Sequence, residues 1–228
     1  QIQELVPNSI ILSPLEEYPD SCFVEDTMVN LKSGVVVLTN PSAPSRKGEA
    51  ESIANLFIDD LQLNQKSSVY QMKNSSDGGD VLVIDGKYLF VGDSSRSQVL
   101  AHQEWEQICS ENDMIFSTIK VNDALHLKSL VTYLGPKIGL VAVNNKNGQQ
   151  AVEQILATLD FCPPVNWVNN SLAANMLRVK NHVFCQNLSD DVRVELENKY
   201  QDFKFVLLDM SELAKGDGAL TCCSVFIK

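Results

Sequence analysis

The chain has 228 residues, 44% of them hydrophobic, which is enough for a real core and excludes a disordered protein. Its 29 acidic and 18 basic residues give a formal charge of −11, without a cluster of Lys or Arg, so we expect no nucleic acid or anionic membrane as a partner. No apolar run approaches the roughly 18–20 residues that would span a bilayer.

The predicted elements follow one plan along the chain, in which a strand, a polar connection, a hairpin and a helix succeed one another. Asp85-Gly86 is the strongest hairpin signal. The predicted strands are 10–12, 27–31, 35–39, 68–72, 81–84, 88–91, 116–121, 126–133, 138–143, 165–168, 174–179, 182–185, 205–208 and 222–227. The predicted helices are 48–61, 97–109, 149–159 and 190–200, and the tight turns are 32–34, 85–86, 135–136 and 180–181.

This plan repeats five times with a period near 47 residues. The repeat points are Asp26, Asp80, Leu127, Asn175 and Cys222, with steps of 54, 47, 48 and 47 residues. Such periods are typical of stacked or circular arrays of one supersecondary unit. In a closed ring the equivalent strand ends would face one central space. The residues brought together there would be Asp20, Glu25, Asp26, Asp77, His126 and Cys222.

The fifth unit stops at the predicted strand 222–227, without a returning strand and helix. In a closed ring these would come from the N-terminus, where only residues 1–7 precede the first strand. We therefore expect either a further N-terminal segment or a ring that stays open with an exposed edge. No linker interrupts the chain, so we expect one domain over residues 1–228.

Cys222 and His126 are the candidate reactive pair. Both lie at the start of a predicted repeat strand, so ring symmetry would place an imidazole near a thiol, the minimum for an activated cysteine nucleophile. On an alternating strand only one of Cys222 and Cys223 can face the centre. The alternative is that these are ordinary buried cysteines and a satisfied core or surface histidine. None of the six cysteines forms a CxxC pair, which excludes zinc-ribbon and thioredoxin motifs.

Acidic residues and two arginines complete the candidate site. Asp20, Glu25, Asp26 and Asp77 precede strands in apolar surroundings, and several carboxylates facing one pocket would bind a cationic group such as a guanidinium. Turn and capping roles are the alternative. Arg46 and Arg96 occupy the same position in units one and two and could anchor a substrate carboxylate, unless they are surface arginines at helix starts.

Five motifs in order resemble the dimethylarginine dimethylaminohydrolase family of the pentein superfamily, which also includes arginine deiminases. They are PDSCFVED at 19–26, PSAPSR at 41–46, DGGDV at 77–81, LHLKS at 125–129 and DGALTCCSV at 217–225. The similarity runs from about Ile10 to Lys228, and the vicinal Cys222-Cys223 makes it strongest with the animal-type members. It implies an α/β fold, a five-bladed α/β propeller of ββαβ-type repeats with one incomplete blade, because the family's N-terminal strand and helix are not matched.

The resemblance also implies the site and its chemistry, the hydrolysis of N-methylated arginines to citrulline and a methylamine. Cys222 would be the nucleophile, His126 the acid and base, and Asp77 the residue that orients the histidine. Asp20 and Asp26 would hold the guanidinium with Glu25 nearby. Arg46 and Arg96 would bind the substrate carboxylate, and the carbonyl of Gly216 the α-amino group. Gly216 replaces a bulkier residue common in related sequences, so we expect a looser loop before Cys222.

Three alternatives remain open from the sequence. The chain could be a catalytically inactive pentein with a binding or regulatory role, or an arginine deiminase, since one or two methyl groups change binding by only about 1–3 kcal/mol. A zinc ion on Cys222 and His126 would be inhibitory, because two ligands do not make a structural zinc centre. We expect no cofactor, no required metal, a small-molecule substrate and a cytoplasmic location, and the sequence does not indicate an oligomeric state.

Overall fold

The computed structural model of the protein describes residues 2–32, 34–61 and 68–227. The predicted turn at 32–34 includes Ser33, which lies outside the described residues. The helices are α1 (Ile2–Leu5), α2 (Glu49–Leu61), α3 (Val99–Glu111), α4 (Lys146–Thr158), α5 (Ser171–Ala174), α6 (Asp190–Lys199) and α7 (Ser211–Ala214). None of these helices combines the length and apolar character that crossing a bilayer requires.

The described strands form four sheets of three strands each. They are β1 (Met28–Lys32), β2 (Val35–Leu38), β3 (Ser68–Gln71), β4 (Val81–Ile84), β5 (Tyr88–Asp93), β6 (Ile115–Lys120), β7 (Val131–Tyr133), β8 (Leu140–Val143), β9 (Val165–Val168), β10 (Leu177–Val179), β11 (His182–Cys185) and β12 (Lys204–Leu207). In each sheet an antiparallel hairpin is followed by a helix, and a third strand then pairs parallel to the second. This is the predicted ββαβ plan, and each sheet is one blade.

The hairpin turns form where the sequence supplies residues that tolerate left-handed backbone. Asp85 and Gly86 join β4 to β5 with φ angles of 51° and 65°, as a type I′ turn requires. Lys180, between β10 and β11, has a φ of 56°. The predicted turns at 85–86 and 180–181 therefore lie where the patterns indicated.

The core lies between successive blades, because the middle strands bury both faces. On β5, Tyr88 and Phe90 pack toward the third blade, whereas Leu89 and Val91 pack toward the first blade and α3. A further apolar cluster joins the third and fourth blades around Val141 and Val183 in the same manner. Burial on both faces explains why these strands read as continuous apolar runs.

Two predicted strands are wrong. Residues 10–12 are not in a strand, and Ile11 is 75% exposed. In the segment 222–227, Thr221–Cys223 is a 3₁₀ turn and residues 224–227 belong to no regular element. A short apolar run does not form a strand without a neighbour to complete its hydrogen bonds, and none of the described strands pairs with either segment.

Two further strands are shorter than predicted. The range 126–133 contains the 3₁₀ turn Leu127–Ser129 before β7, and the range 174–179 begins with the end of α5. In the first and second blades the 3₁₀ turns Val24–Thr27 and Gly78–Asp80 occupy the same place before the hairpin. Four of the five repeat points, Asp26, Asp80, Leu127 and Cys222, therefore lie in short 3₁₀ turns, and the other, Asn175, directly follows α5.

Candidate active site

The short turns that enter the blades surround the centre of the molecule. Val24–Thr27 contacts both Gly78–Asp80 and Thr221–Cys223, and Gly78–Asp80 contacts Leu127–Ser129. The last of these contacts α5, which leads to Asn175. The fifth turn thus packs against the first, so residues from all five repeats meet in one place.

Hydrogen bonds between successive turns follow the sequence repeat. Each donor is the backbone N–H of the next turn, and each acceptor is a side-chain oxygen at a repeat point. The three bonds run from Gly79 to Asp26 Oδ1 (2.9 Å), from Leu127 to Asp80 Oδ1 (3.0 Å) and from Thr221 to Asn175 Oδ1 (2.9 Å). Side chains at equivalent positions therefore fasten neighbouring blades together.

This hydrogen-bond pattern corrects the third repeat point. It also shows that, among the described residues, the side chains at two repeat points, Lys128 and Cys222, do not accept a bond from the next turn. The donors Gly79, Leu127 and Thr221 are equivalent, so the third repeat point is Lys128 rather than Leu127. Lys128 is a donor instead, and its Nζ lies 2.6 Å from Glu25 Oε1. The fifth repeat point is Cys222. The equivalent side chains in the first, second and fourth blades accept the hydrogen bonds that join neighbouring turns.

Cys222, His126 and Glu25 line one cavity of about 560 Å³. Cys222 is half-buried as a residue, whereas His126 and Glu25 are buried. Glu25 and Lys128 also line a second cavity of about 870 Å³, which opens among the hairpin turns. Their ion pair therefore lies between the cavity that contains Cys222 and the cavity among the hairpin turns.

Asp77 contacts the imidazole ring of His126 and restrains its orientation. His126 Nε2 lies 3.3 Å from Asp77 Oδ2, and the other carboxylate oxygen accepts the backbone N–H of Ser42 at 2.7 Å. The imidazole packs against Gly79, where a Cβ atom would lie only 2.5 Å from His126 Nδ1. The glycine in the DGGDV motif is therefore needed for the ring to approach the backbone.

The His126–Asp77 contact favours the charged form of both partners. Burial alone lowers the pKa of His126, but the hydrogen bond to Asp77 and the charges of Asp26 and Asp80 outweigh it, so the pKa is raised. Burial raises the pKa of Asp77, but the bonds from His126 and Ser42 outweigh that effect and lower it. A protonated imidazole is therefore favoured, which is the form that can give a proton to a departing amine.

The surroundings of Cys222 raise the pKa of its thiol, whereas an activated thiol has a lowered pKa. Burial raises the pKa of its thiol most, and the carboxylates of Glu25 and Asp26 raise it further. Without a ligand the thiol is therefore protonated at neutral pH. A cationic group in the cavity would offset both carboxylates and lower the pKa, so the site is organised to react with a positively charged molecule.

This setting predicts how Cys222 responds to alkylating reagents. A neutral reagent should label Cys222 slowly at pH 7 and faster as the pH rises beyond 9, because only the thiolate reacts. A cationic amidine reagent of matched intrinsic reactivity should label it about 10-fold faster or more at pH 7, since one pKa unit of relief gives that factor. Peptide mass spectrometry would measure both rates.

The exposed Cys162 is the matched control for this measurement. It lies outside the cavity lining and should show no comparable preference for the cationic reagent. Equal rates for the two reagents at Cys222 would contradict the electrostatic description of the site.

Arg46 does not occupy the predicted place. Its guanidinium is buried, with Nη1 2.6 Å from Asp26 Oδ2, Nη2 2.6 Å from Glu49 Oε1 and Nε 2.8 Å from Glu49 Oε2. Nη2 also donates to the carbonyls of Phe23 and Asp20. These bonds use every nitrogen of the guanidinium, so the geometry gives Arg46 a structural role that does not fit the predicted contact with a substrate carboxylate.

The same network limits Asp26. One carboxylate oxygen accepts from Arg46 and the other from the Gly79 N–H. Asp26 thus contributes charge near Cys222 and His126, but it lies outside the cavity lining, so the structure does not place it for the predicted direct grip on a guanidinium. Glu25 lines the cavity, where its two oxygens accept from Lys128 and Thr221.

The remaining predicted residues lie around the cavity rather than in its lining. Asp20 is half-buried, and within the described part of the chain its carboxylate makes no hydrogen bond. Arg96 is half-buried, and its charge helps to lower the pKa of Asp77. Gly216 is exposed beside the lining residue Asp217. A Cβ atom there would meet nothing closer than 3.7 Å, so the fold leaves room for the bulkier residue of related sequences.

Metal ligation is restricted by the bonds already present. Donor atoms of Asp26, Asp77 and His126 lie within 4.8 Å of one another. Arg46 and two backbone N–H groups occupy the two carboxylates. This cluster does not include Cys222, so zinc on Cys222 and His126 stays a prediction.

Four residues of the site network were not assigned a role from the sequence: Glu49, Lys128, Asn175 and Thr221. Asn175 lies at a repeat point, which is the signal that could have identified it. Glu49 follows Arg46 by three residues in a helical region, a common spacing for ion pairs that does not by itself indicate a buried one.

The sequence of the chain matches a family and individual relatives over nearly its whole length. The model of the family described as N,N dimethylarginine dimethylhydrolase, eukaryotic, matches residues 5–227. The N(G),N(G)-dimethylarginine dimethylaminohydrolase of Pseudomonas aeruginosa is 25% identical over 94% of this chain and 80% of its own length. The enzyme of that name from Streptomyces coelicolor is 27% identical, over 95% and 78% of the two chains.

Solved structures show the fold. A dimethylarginine dimethylaminohydrolase adduct with S-methyl-L-thiocitrulline has a TM-score of 0.79 and 24% identity, over 95% of this chain and 80% of the other. The N-terminal domain of ArgZ, an arginine dihydrolase from cyanobacteria, has a TM-score of 0.76 and 18% identity, over 97% and 82%. The predicted α/β propeller architecture of the pentein type is confirmed.

Proposed function

The chain belongs to the eukaryotic N,N-dimethylarginine dimethylhydrolase family, and from this premise we propose that it hydrolyses N-methylated arginines to citrulline. The substrates are asymmetric dimethylarginine and monomethylarginine, and the second products are dimethylamine and methylamine. The reaction is a hydrolysis of an amidine C–N bond. Curated relatives named for this activity support the assignment.

The observation that carries the proposal is the cavity shared by Cys222, His126 and Glu25. A guanidinium bound there would lie beside the Glu25 carboxylate and in the field of Asp26, the two charges that raise the pKa of the Cys222 thiol. Substrate binding would therefore also activate the nucleophile, because the cation offsets both charges. An enzyme that becomes reactive only with its cationic substrate protects its thiol from neutral electrophiles.

The proposed reaction has two stages. When the cationic substrate binds, the Cys222 thiol releases its proton to solvent. The thiolate attacks the guanidinium carbon, His126 gives its proton to the methylated nitrogen, and the amine leaves with the C–N bond electrons. The adduct is a thiouronium ion on Cys222. His126, now neutral, takes a proton from water, the hydroxide forms the ureido C–O bond, the thiolate leaves, and the remaining O–H proton of the ureido group passes to solvent. One water is consumed, and citrulline and one amine are formed.

The surrounding residues have supporting roles in this proposal. Asp77 orients His126 and favours its protonated form, which its 3.3 Å contact and its lowered pKa support. Asp20 and Glu25 provide carboxylates for the guanidinium, Arg96 the cation for the substrate carboxylate, and the Gly216 carbonyl an acceptor for the α-amino group. The mechanism uses no metal or cofactor.

The proposal places the enzyme in the cytoplasm. All six cysteines are unpaired, including the neighbouring Cys222 and Cys223. A reducing compartment keeps such thiols in that state.

The proposed function is tested by measuring citrulline and dimethylamine from asymmetric dimethylarginine at neutral pH. We expect both products in equal amounts, and a kcat/KM for the methylated substrate above that for arginine. Faster turnover of arginine would make the protein an arginine deiminase. Saturable binding of methylarginine without products would make it a binding protein on the same scaffold.

A further inference from the structure

We propose that Asn175 is a positioning residue of this active site, which holds the turn that carries Cys222 in its reactive orientation. The inference rests on the proposed function in giving Asn175 a role in the reaction of the thiol. It assigns a role to a repeat-point residue outside the motifs that carry the family resemblance.

Asn175 holds the residue before the nucleophile by two hydrogen bonds. The backbone N–H of Thr221 donates to Asn175 Oδ1 at 2.9 Å, and Asn175 Nδ2 donates to Thr221 Oγ1 at 3.0 Å. Both residues are buried. The orientation of the amide follows from chemistry, since a backbone N–H can only donate and must face the oxygen.

Thr221 in turn binds Glu25, the carboxylate in the cavity lining. Its hydroxyl donates to Glu25 Oε2 at 2.6 Å, while Lys128 donates to Glu25 Oε1 at 2.6 Å. Asn175 Nδ2 also reaches the Lys128 carbonyl at 3.4 Å. Asn175 therefore closes a network that fixes both the turn of Cys222 and the carboxylate that faces the thiol.

The turn needs such a restraint because no sheet supports it. Thr221–Cys223 is a single 3₁₀ turn, and residues 224–227 pair with none of the described strands. In the first two blades the equivalent turns lead directly into β1 and β4. Since a 1 Å displacement of a reacting group can cost about 100-fold in rate, a nucleophile on a turn outside the described sheets depends on side-chain bonds for its precise position.

The identity of the side chain is also informative. Asp26 and Asp80 occupy the same slot in the first and second blades and accept the same type of bond. Asparagine in the fourth blade keeps the acceptor, adds a donor for Thr221 Oγ1, and adds no charge. Glu25 and Asp26 already raise the pKa of Cys222, so a third carboxylate here would raise it further.

The first test is Asn175→Leu, which keeps a similar volume and removes both bonds. We expect kcat for asymmetric dimethylarginine to fall by about 10- to 100-fold, with a change in KM below about threefold. The rate constant for labelling Cys222 with a cationic amidine reagent should fall by a similar factor. Mass spectrometry would give the fraction of enzyme labelled, so that kcat refers to folded protein alone.

The matched control is Asn166→Leu. Asn166 is a buried asparagine on β9 that donates to the carbonyls of Ile138 and Leu140, away from the cavity. This variant should lower the melting temperature yet leave kcat and the labelling rate of folded enzyme unchanged. Asn175→Leu behaving like Asn166→Leu, with lost stability and normal rates, would overturn the inference.

A second variant, Asn175→Asp, keeps the shape of the side chain and adds a negative charge, so it tests the effect of charge. It keeps the acceptor for the Thr221 N–H but replaces the donor with a charged oxygen. We expect the rate at which a neutral reagent labels Cys222 at pH 9 to fall by about 10-fold, because a further carboxylate near the thiol raises its pKa. An unchanged rate would count against the inference, because it would mean that the side chain at position 175 does not act on the thiol.

These measurements also distinguish the inference from the proposed function. If the wild-type chain forms no citrulline from any methylarginine, the proposed function fails, and the labelling rates of Asn175→Leu and Asn166→Leu decide the role of Asn175. If the wild type is active and Asn175→Leu keeps the wild-type kcat and labelling rate, the inference alone fails.

Discussion

Replacement of Cys222 by serine should lower citrulline formation by about 10⁴-fold or more, the largest effect that we expect from a single substitution. The reason is electrostatic as well as chemical. The burial and the Glu25 and Asp26 charges that raise the pKa of the thiol would act equally on a hydroxyl, which starts from a much higher pKa. A bound guanidinium could then no longer generate the anion.

Initial rates with asymmetric dimethylarginine would measure the loss. Acid quenching of the wild type during turnover should also reveal a Cys222 peptide heavier by the thiouronium group, absent from Cys222→Ser. Cys162→Ser is the control, since that exposed cysteine lies outside the cavity and its removal should leave the rate unchanged. If Cys222→Ser kept more than a tenth of the activity, Cys222 would not be the nucleophile.

Substitution of Arg46 by methionine should lower the free energy of unfolding by about 3–5 kcal/mol, the range for breaking a buried ion pair from one side. Arg46 pairs with Asp26 and Glu49, and the side chains of all three are at most 6% exposed. Without the guanidinium both carboxylates would stay buried and unpaired. Urea denaturation would measure the change.

The matched control is Lys137→Met, which breaks an ion pair with Asp202 on the surface. Exposed pairs contribute about 0–1 kcal/mol, so this variant should be nearly as stable as the wild type. Replacing Asp26 and Glu49 by their amides in the Arg46→Met background should restore part of the stability. A normal stability for Arg46→Met with a raised KM would instead favour the sequence-based prediction of a carboxylate anchor.

The predicted repeat was accurate where local rules decide structure. Asp85-Gly86 predicted a hairpin turn because these residues tolerate positive φ, and both adopt it. The continuous apolar runs at β5 and β8 predicted strands because both faces of each strand are buried between blades. Helices α3 and α6 begin and end within about two residues of the predicted bounds.

Predictions failed where the structure of a segment depends on contacts with distant parts of the chain. The segment 222–227 is apolar apart from Ser224, as a buried strand would be, but it pairs with none of the described strands, and the apolar segment 10–12 is similar. Arg46 and Arg96 share a repeat position and were predicted to share a role. Only the fold reveals that Glu49 and Asp26 take up the guanidinium of the first, since long-range charge pairing leaves no mark on either segment alone.

The amino-acid sequence alone predicts the period of the repeat, the ββαβ order within it and, through five motifs, the family and the candidate residues Cys222 and His126. These depend on backbone preferences and on residue identity, which are local properties. The contacts between repeat points exist only in the tertiary structure: Asp26, Asp80 and Asn175 join the blades, Lys128 donates to Glu25, and Cys222 lines the cavity at the fifth point. Those contacts join residues about 46 to 103 positions apart, so they exist only once the ring has assembled.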